Sequence, residues 1–124
     1  MAAGEKKELG MRGEDDAALW LQRKGLQVLE RNWRHGRHEL DLIATDGRRL
    51  IFVEVKARST ERHGMPEEAV KYAKQQGMLE AGMAYAELRN HEGPVRFDVI
   101  SIIYLPWGRQ LQHFPDAFFP LGGN

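Results

Sequence analysis

There is no cysteine among the 124 residues, so neither a disulfide nor a thiolate metal site can form, and a reducing cytoplasm is the expected compartment. Neither sign of charge dominates. The 18 lysines and arginines are matched by 18 acidic residues, which argues against a protein that simply coats a polyanion. Long apolar runs are missing as well: no stretch reaches the roughly 18 consecutive apolar residues of a membrane helix, and the first ten residues are polar. The expected protein is soluble and unsecreted, with no membrane partner. Hydrophobic residues make up 42% of the chain, enough for one modest core, and the length bounds it to a single domain over residues 1–124. No internal repeat or linker divides it.

The charge that is present is unevenly placed. Arg31, Arg34, Arg37, Arg48, Arg49, Lys56, Arg58 and Arg62 crowd one stretch, with His35, His38 and His63 among them, while acids concentrate over residues 5–16 and 67–92. Such separation is expected where one face meets a polyanion, although an ordinary solvated surface gives the same pattern. No histidine pair has the helical spacing of a zinc site. His35, His38 and His63 read as surface or substrate-facing groups, and His91 and His113 as incidental.

Residues 1–9 read as a flexible, solvated lead-in. A helix is predicted over 11–24 and ends at Gly25, with Ala17, Ala18 and Leu21 on its apolar stripe and Glu14 on the same face. Strands are predicted over 27–33, 39–44 and 50–55, the last two joined at the Asp46-Gly47 hairpin signal. Pro66, Glu67 and Glu68 suit the start of a second helix running to about residue 89 on a stripe of Val70, Ala73, Gly77, Ala81, Ala84 and Leu88. A buried strand is predicted over 95–103. The segment 106–124, with Trp107, Phe114, Phe118 and Phe119 among prolines and glycines, reads as an irregular tail that either drapes over the domain or offers an aromatic patch to a partner. The fold class is α/β, an α-β-β-β-α-β mixed sheet flanked by helices. Fold alone does not give function.

The hairpin carries the chemistry. Along Ile51-Phe52-Val53-Glu54-Val55-Lys56, side chains alternate, so Val53 and Val55 point one way while Glu54 and Lys56 point the other. A two-residue loop pairs Asp41 with Phe52, and a four-residue loop over 46–49 pairs Asp41 with Glu54. Either register puts Asp41, Glu54 and Lys56 on one face and the aliphatics on the other; a three-residue loop would break this. Acids on neighbouring strands repel unless solvent or a shared cation separates them. A hard cation such as Mg²⁺ or Mn²⁺ takes one or two carboxylates plus water and phosphate oxygens, which Asp41 and Glu54 fit. Lys56 would then position an attacking hydroxide or steady a charged phosphate. A solvated hairpin with an ordinary Glu–Lys pair remains the plain alternative. Glu14 is expected either to turn its charge toward this site, since burying an unpaired carboxylate is costly, or to cap the first turn of its helix.

Five segments together resemble a known family. Gly13-Glu14-Asp15-x-Ala17-Ala18, Arg31-Asn32-Trp33-Arg34, Glu39-Leu40-Asp41-Leu42-Ile43-Ala44, Phe52-Val53-Glu54-Val55-Lys56-x-Arg58 and Arg96-Phe97-Asp98-Val99 look like the YraN family, small bacterial PD-(D/E)XK proteins related to archaeal Holliday-junction resolvases. The resemblance spans about residues 13–102. It implies a restriction-endonuclease-like fold, a divalent metal and a DNA substrate. It also implies that Glu14, Asp41 and Glu54 are acidic site positions, Lys56 the site lysine and Gln75 a polar position facing the site. His38 departs from the pattern, which usually has glycine there, and Leu40 replaces the nominal proline.

The expected function is metal-dependent endonucleolytic hydrolysis of DNA phosphodiesters, on branched or otherwise structured DNA, with Arg34, Arg37, Arg58 and Arg62 contacting phosphates without reading sequence. A homodimer would supply two sites. The alternatives are a nucleic-acid-binding module without turnover and a dimeric interaction protein whose acids merely solvate a hairpin.

Overall fold

The computed structural model describes residues 3–59 and 71–118. Two helices, α1 (Ala3–Arg23) and α2 (Tyr72–Leu88), flank a sheet of five strands: β1 (Gln27–His35), β2 (His38–Thr45), β3 (Leu50–Ser59), β4 (Val95–Leu105) and β5 (Gly108–Phe118). The strands lie in chain order across the sheet. All neighbours are antiparallel except β3 and β4, which run parallel with α2 in the connection between them. The predicted α/β mixed sheet is therefore present, in the predicted order, with one further strand.

Each face of the sheet carries its own apolar layer. Leu42, Ala44, Ile51, Val53, Ile100 and Ile102 pack with Ala17, Ala18 and Leu21 of α1. Leu50, Phe52 and Phe97 pack with Met78, Leu79, Ala81 and Tyr85 of α2. Alternation along β3 sends Phe52 to one layer and Val53 to the other, as a strand buried on both faces requires. The α2 stripe holds the predicted Gly77 and Ala81 and widens to Met78, Leu79, Gly82, Tyr85 and Ala86, whereas the predicted Ala73 and Leu88 are exposed. The larger side chains Met78, Leu79 and Tyr85 bury more apolar area and turn that side of the helix to the sheet. Val70 and the expected helix start at Pro66 lie outside the described residues.

Two expectations fail at the ends of the chain. Residues 1–9 do not form a flexible lead-in over their described part: α1 is already helical at Ala3. Glu, Lys and Ala are good helix formers, and Leu9 packs against the α1 layer, so polarity here marks a solvated helix face. Nor is 106–124 an irregular tail. Residues 108–118 form β5, and Pro115 is tolerated because β5 is an edge strand. Residues 119–124 lie outside the described part.

Asp98 holds β5 in place. It is fully buried, yet its carboxylate accepts two hydrogen bonds from Arg96 (2.9 and 2.8 Å) and one from the backbone N–H of Asp116 (2.9 Å). The His113 Nε2 lies 2.8 Å from the same carboxylate. The indole N–H of Trp20 donates to His113 Nδ1 at 3.1 Å, so Nε2 carries the ring proton and donates to Asp98. Burial pushes the Asp98 carboxyl upward, but His113, Arg96 and the Asp116 amide outweigh it and hold the group below its ordinary value. His113 is thus a structural partner rather than incidental. Asp116, at φ +55, lies in the register shift of β5, and the carboxylate of Asp98 fastens that irregularity to β4. Asp98→Ala leaves Arg96 and His113 facing a buried void, and a stability loss of about 3–5 kcal/mol is expected in urea unfolding. A loss below about 1 kcal/mol would show that the network does not anchor β5.

Candidate active site at the parting of two strands

The hairpin between β2 and β3 takes the four-residue loop. Thr45 pairs with Leu50 and Leu42 with Val53, which sets Asp41 opposite Glu54. The Asp46 carboxylate closes the loop by accepting from the amides of Arg49 (2.6 Å) and Arg48 (2.9 Å), and Gly47 supplies the positive φ of +95. The hydrogen bonds from these two amides, which an unfolded chain lacks, hold the Asp46 carboxyl well below the usual range.

Beyond Leu42 the strands part. The next bond across the gap comes from a side chain: Asp41 Oδ2 accepts the backbone N–H of Val55 at 2.8 Å. On the other side of β2, β1 carries a register shift between Val28 and Glu30 and a left-handed residue, Asn32, at φ +54. This twist breaks the simple alternation expected of β2. Leu42 packs on the α1 layer, but Leu40 joins Ile43 on the α2 layer. The expectation that the aliphatics share one face is corrected accordingly, while Asp41 and Glu54 still meet.

Their meeting is crowded. The Glu54 side chain is 12% exposed, and Asp41 is pushed up to about 8 by burial first and then by the adjacent Glu54 charge. Two carboxylates this close in a desolvated place resist ionising together, so Asp41 holds its proton well above the usual carboxylate range. Glu54 Oε1 is buried and accepts no hydrogen bond; Lys74 Nζ approaches it at 3.7 Å from α2. Val53 and Val55 face the α1 layer, so Glu54 and Lys56 lie on the opposite side of β3 as predicted.

Glu14 reaches the same place from α1. Gly13 makes the approach possible: a Cβ there would lie 2.6 Å from the Cβ of Ala57 on β3. Because α1 is helical from Ala3, Glu14 lies in mid-helix and cannot cap a first turn. Its side chain is 17% exposed, accepts from Asn32 Nδ2 (3.1 Å) and lies 3.9 Å from Arg31. Burial raises its carboxyl, the Asn32 bond opposes that, and the Asp41 charge raises it further. Arg31 also donates to Asp15 at 2.7 Å, which ties β1 to α1 beside the carboxylates.

Lys74 was missed in the sequence. It lies four residues before Met78 on the buried face of α2, and that spacing was the signal available. Gln75, the position implied by resemblance, is half-buried one residue on. His38 sits over Gly77, whose missing side chain leaves room for it: a Cβ would lie 2.5 Å from His38 Nδ1. A bulky residue on β2 is thus matched by none on α2. Arg34 is exposed, 3.7 Å from Glu39, and Arg37 is exposed in the β1–β2 turn. Arg58 lies on β3, half-buried, two residues beyond Lys56; Arg62 and His63 fall outside the described residues.

Oxygen donors of Asp41, Glu54 and Glu14 suit a hard cation, and Glu54 Oε1, which accepts no hydrogen bond and has the Lys74 ammonium at 3.7 Å, is the donor such an ion would satisfy. Among the described residues no three acidic or imidazole groups close into a cage.

A raised Asp41 binds its proton more tightly folded than unfolded. Its contribution to stability is therefore full at low pH and lost as pH climbs from its ordinary 3.8 toward about 8. In chelator, melting of the parent is expected to fall over that window, whereas Asp41→Asn should flatten the fall and melt several degrees higher at pH 8. An unchanged pH profile in the variant would place the proton elsewhere.

The residues at 13–102 match the model of the family described as Uncharacterised protein family UPF0102. Relatives named UPF0102 protein include one from Chlorobium chlorochromatii, 50% identical over 77% of this chain and 74% of its own. Another, from Bacteroides thetaiotaomicron, is 40% identical over 94% of this chain and 96% of its own. A third, from Syntrophotalea carbinolica, is 45% identical over 92% and 94%. Among solved structures, Archaeoglobus fulgidus Hjc, a Holliday junction resolvase, is similar over 84% of this chain and 73% of that one, with 20% identity and a TM-score of 0.49, too distant a likeness to carry function. No described helix is long and apolar enough to cross a membrane. With the family model covering most of its length and relatives matching nearly end to end, the chain belongs to the UPF0102 family, the YraN family that its motifs resemble.

Proposed function

We propose that this protein is a Mg²⁺- or Mn²⁺-dependent endonuclease acting on DNA phosphodiester bonds, with branched or otherwise structured DNA as its substrate. The observation that carries the reading is the desolvated Asp41–Glu54 pair, with a Glu54 Oε1 that accepts no hydrogen bond, on the strand face that also bears Lys56. Two desolvated carboxylates repel, and a divalent cation between them would relieve that repulsion.

In this reading Asp41 and Glu54 hold the divalent cation, and Glu14 completes the acidic wall from α1. Such a cation, when bound, lowers the pKa of coordinated water and offsets charge on the phosphate. Lys56 stabilises the negative charge that grows on the phosphate during attack. Lys74, 3.7 Å from Glu54 Oε1, helps to orient the Glu54 carboxylate. Gln75 presents a polar group from the next position of α2. Arg34, Arg37, Arg58 and Arg62 bind the phosphate backbone and so position the DNA without reading its sequence. A homodimer would bring two sites to the two strands of a branched substrate.

The second reading, a nucleic-acid-binding module without turnover, is favoured by one observation: no three ligating groups close into a cage among the described residues. A purely interactive role for the acids fits poorly, because Glu14 is mostly buried and feels the charge of Asp41.

A cleavage panel separates these. Single-stranded, duplex, flap and four-way-junction DNA are incubated with Mg²⁺, Mn²⁺ or chelator. Cleavage with either metal and none in chelator is expected, and Lys56→Ala should cut about 10²–10³ more slowly while folding normally. Equal cutting by the variant would leave Lys56 an ordinary surface lysine. Metal-dependent binding with no product from any substrate would favour the second reading. Glu14→Gln should weaken metal-dependent cleavage without lowering melting in chelator, since it relieves repulsion. Binding should fall with salt at a log–log slope near −0.9 per phosphate contact, and Arg58→Ala should flatten it by about one contact.

A further inference from the structure

The tips of the β1–β2 and β4–β5 hairpins and the Ser59 end of β3 share one end of the sheet, opposite to the β2–β3 loop. β2 runs against β3, β3 runs with β4, and β4 runs against β5. The β1–β2 turn at Gly36–Arg37, the Ser59 end of β3 and the β4–β5 turn at Pro106–Trp107 therefore lie along a common edge. Cations gather on it at both flanks of the carboxylates. Arg34 and Arg37 stand on the first hairpin; on the far flank, the Arg12 guanidinium lies 4.2 Å from the Tyr104 ring centroid. Arg109 Nε is 3.6 Å from Asp16, which also accepts from the Tyr104 hydroxyl at 2.5 Å. Two of these cations are loosely held by single acids, Arg34 by Glu39 at 3.7 Å and Arg109 by Asp16 at 3.6 Å, while Arg37 is exposed.

At the tip of the second hairpin stands Trp107, 82% exposed, ahead of every other large hydrophobic side chain described. Tryptophan is among the most buried residues on average, and a two-residue hairpin turn asks for glycine, asparagine or aspartate, not an indole. Turn geometry therefore gives no reason for it. An exposed indole beside guanidinium groups is what proteins that hold unpaired strands use: the ring stacks on a base and the cations track the backbone.

We infer that the β4–β5 hairpin is a second nucleic-acid contact, in which Trp107 stacks on an unpaired base while Arg109 and Arg12 hold the adjoining phosphates. Bases inside a duplex are already stacked and offer the ring no face. The hairpin therefore favours DNA with an exposed base near the cleavage point, such as a gap, a flap or the centre of a branch. The inference rests on the nucleic-acid reading of the acidic site and names a feature of its substrate. A second copy of the chain or a lipid surface would also cover an indole, but the cations along the same edge favour a polyanion.

The test is binding in chelator, so cleavage does not enter. Labelled duplex DNA with a single-stranded gap is compared with the unbroken duplex by fluorescence anisotropy. Trp107→Ala is expected to weaken gapped-DNA binding by about 5–150-fold, the stacking of one base, and unbroken-duplex binding by less than about twofold. Trp107→Phe should keep most of the gapped-DNA affinity. Arg109→Ala should weaken both substrates and reduce the salt slope by about one contact. Unchanged gapped-DNA binding by Trp107→Ala, or an equal loss on both substrates, overturns the inference and leaves the nuclease reading standing. So does a variant that keeps its DNA affinity but loses self-association in sedimentation or binding to anionic vesicles. If the parent protein binds neither DNA in chelator or with Ca²⁺ in its place, the nuclease reading falls and this one with it.

Discussion

The carboxylate of Asp41 bonded to the backbone amide of Val55 is the interaction on which the candidate site depends. It replaces a ladder hydrogen bond at the point where β2 leaves β3, so the strands part without stranding a buried N–H. The same bond draws Asp41 against Glu54 in a place poor in solvent. The resulting repulsion is met in part by a proton on Asp41 and in part by Lys74.

The remaining architecture brings groups to that gap from three directions. Gly13 lets α1 lie on β3 closely enough for Glu14 to face Asp41, and Asn32, in a left-handed conformation, turns its amide to hold Glu14 there. Gly77 lets α2 lie over His38, which fixes the helix that carries Lys74. The two apolar layers bury the rest of the sheet and keep these approaches rigid. On the other side of β4, the Asp98 network does for β5 what a larger core would do in a bigger protein. It fastens an irregular edge strand with ionic hydrogen bonds instead of apolar area.

The candidate carboxylates and the proposed nucleic-acid contact belong to one end of one sheet. The carboxylates lie where β2 and β3 separate, and the β1–β2 and β4–β5 hairpins project beyond them on either side. Zero net charge is compatible with the proposed contact, because a sum of charges does not fix their distribution.

Much of this was legible in the chain. Alternation along 51–56 fixed which residues of β3 share a face, because a strand has a strict period of two. The Asp46-Gly47 signal located the hairpin, because few residues accept a positive φ. Its register was not legible: two- and four-residue loops were both consistent, and the amides captured by Asp46 chose the longer. Local pattern also failed where long-range contacts decide. The helical start at Ala3 depends on Leu9 reaching a sheet formed by later residues, and β5 exists because β4 offers it a partner and Asp98 an anchor. The place of Leu40, the role of His113 and the reach of Lys74 to Glu54 have the same origin. Sequence by itself determined which groups could do chemistry and which strand face they occupy, since that follows from residue type and backbone period. Only the tertiary structure decided which of them meet, since that depends on how closely helices approach a twisted sheet.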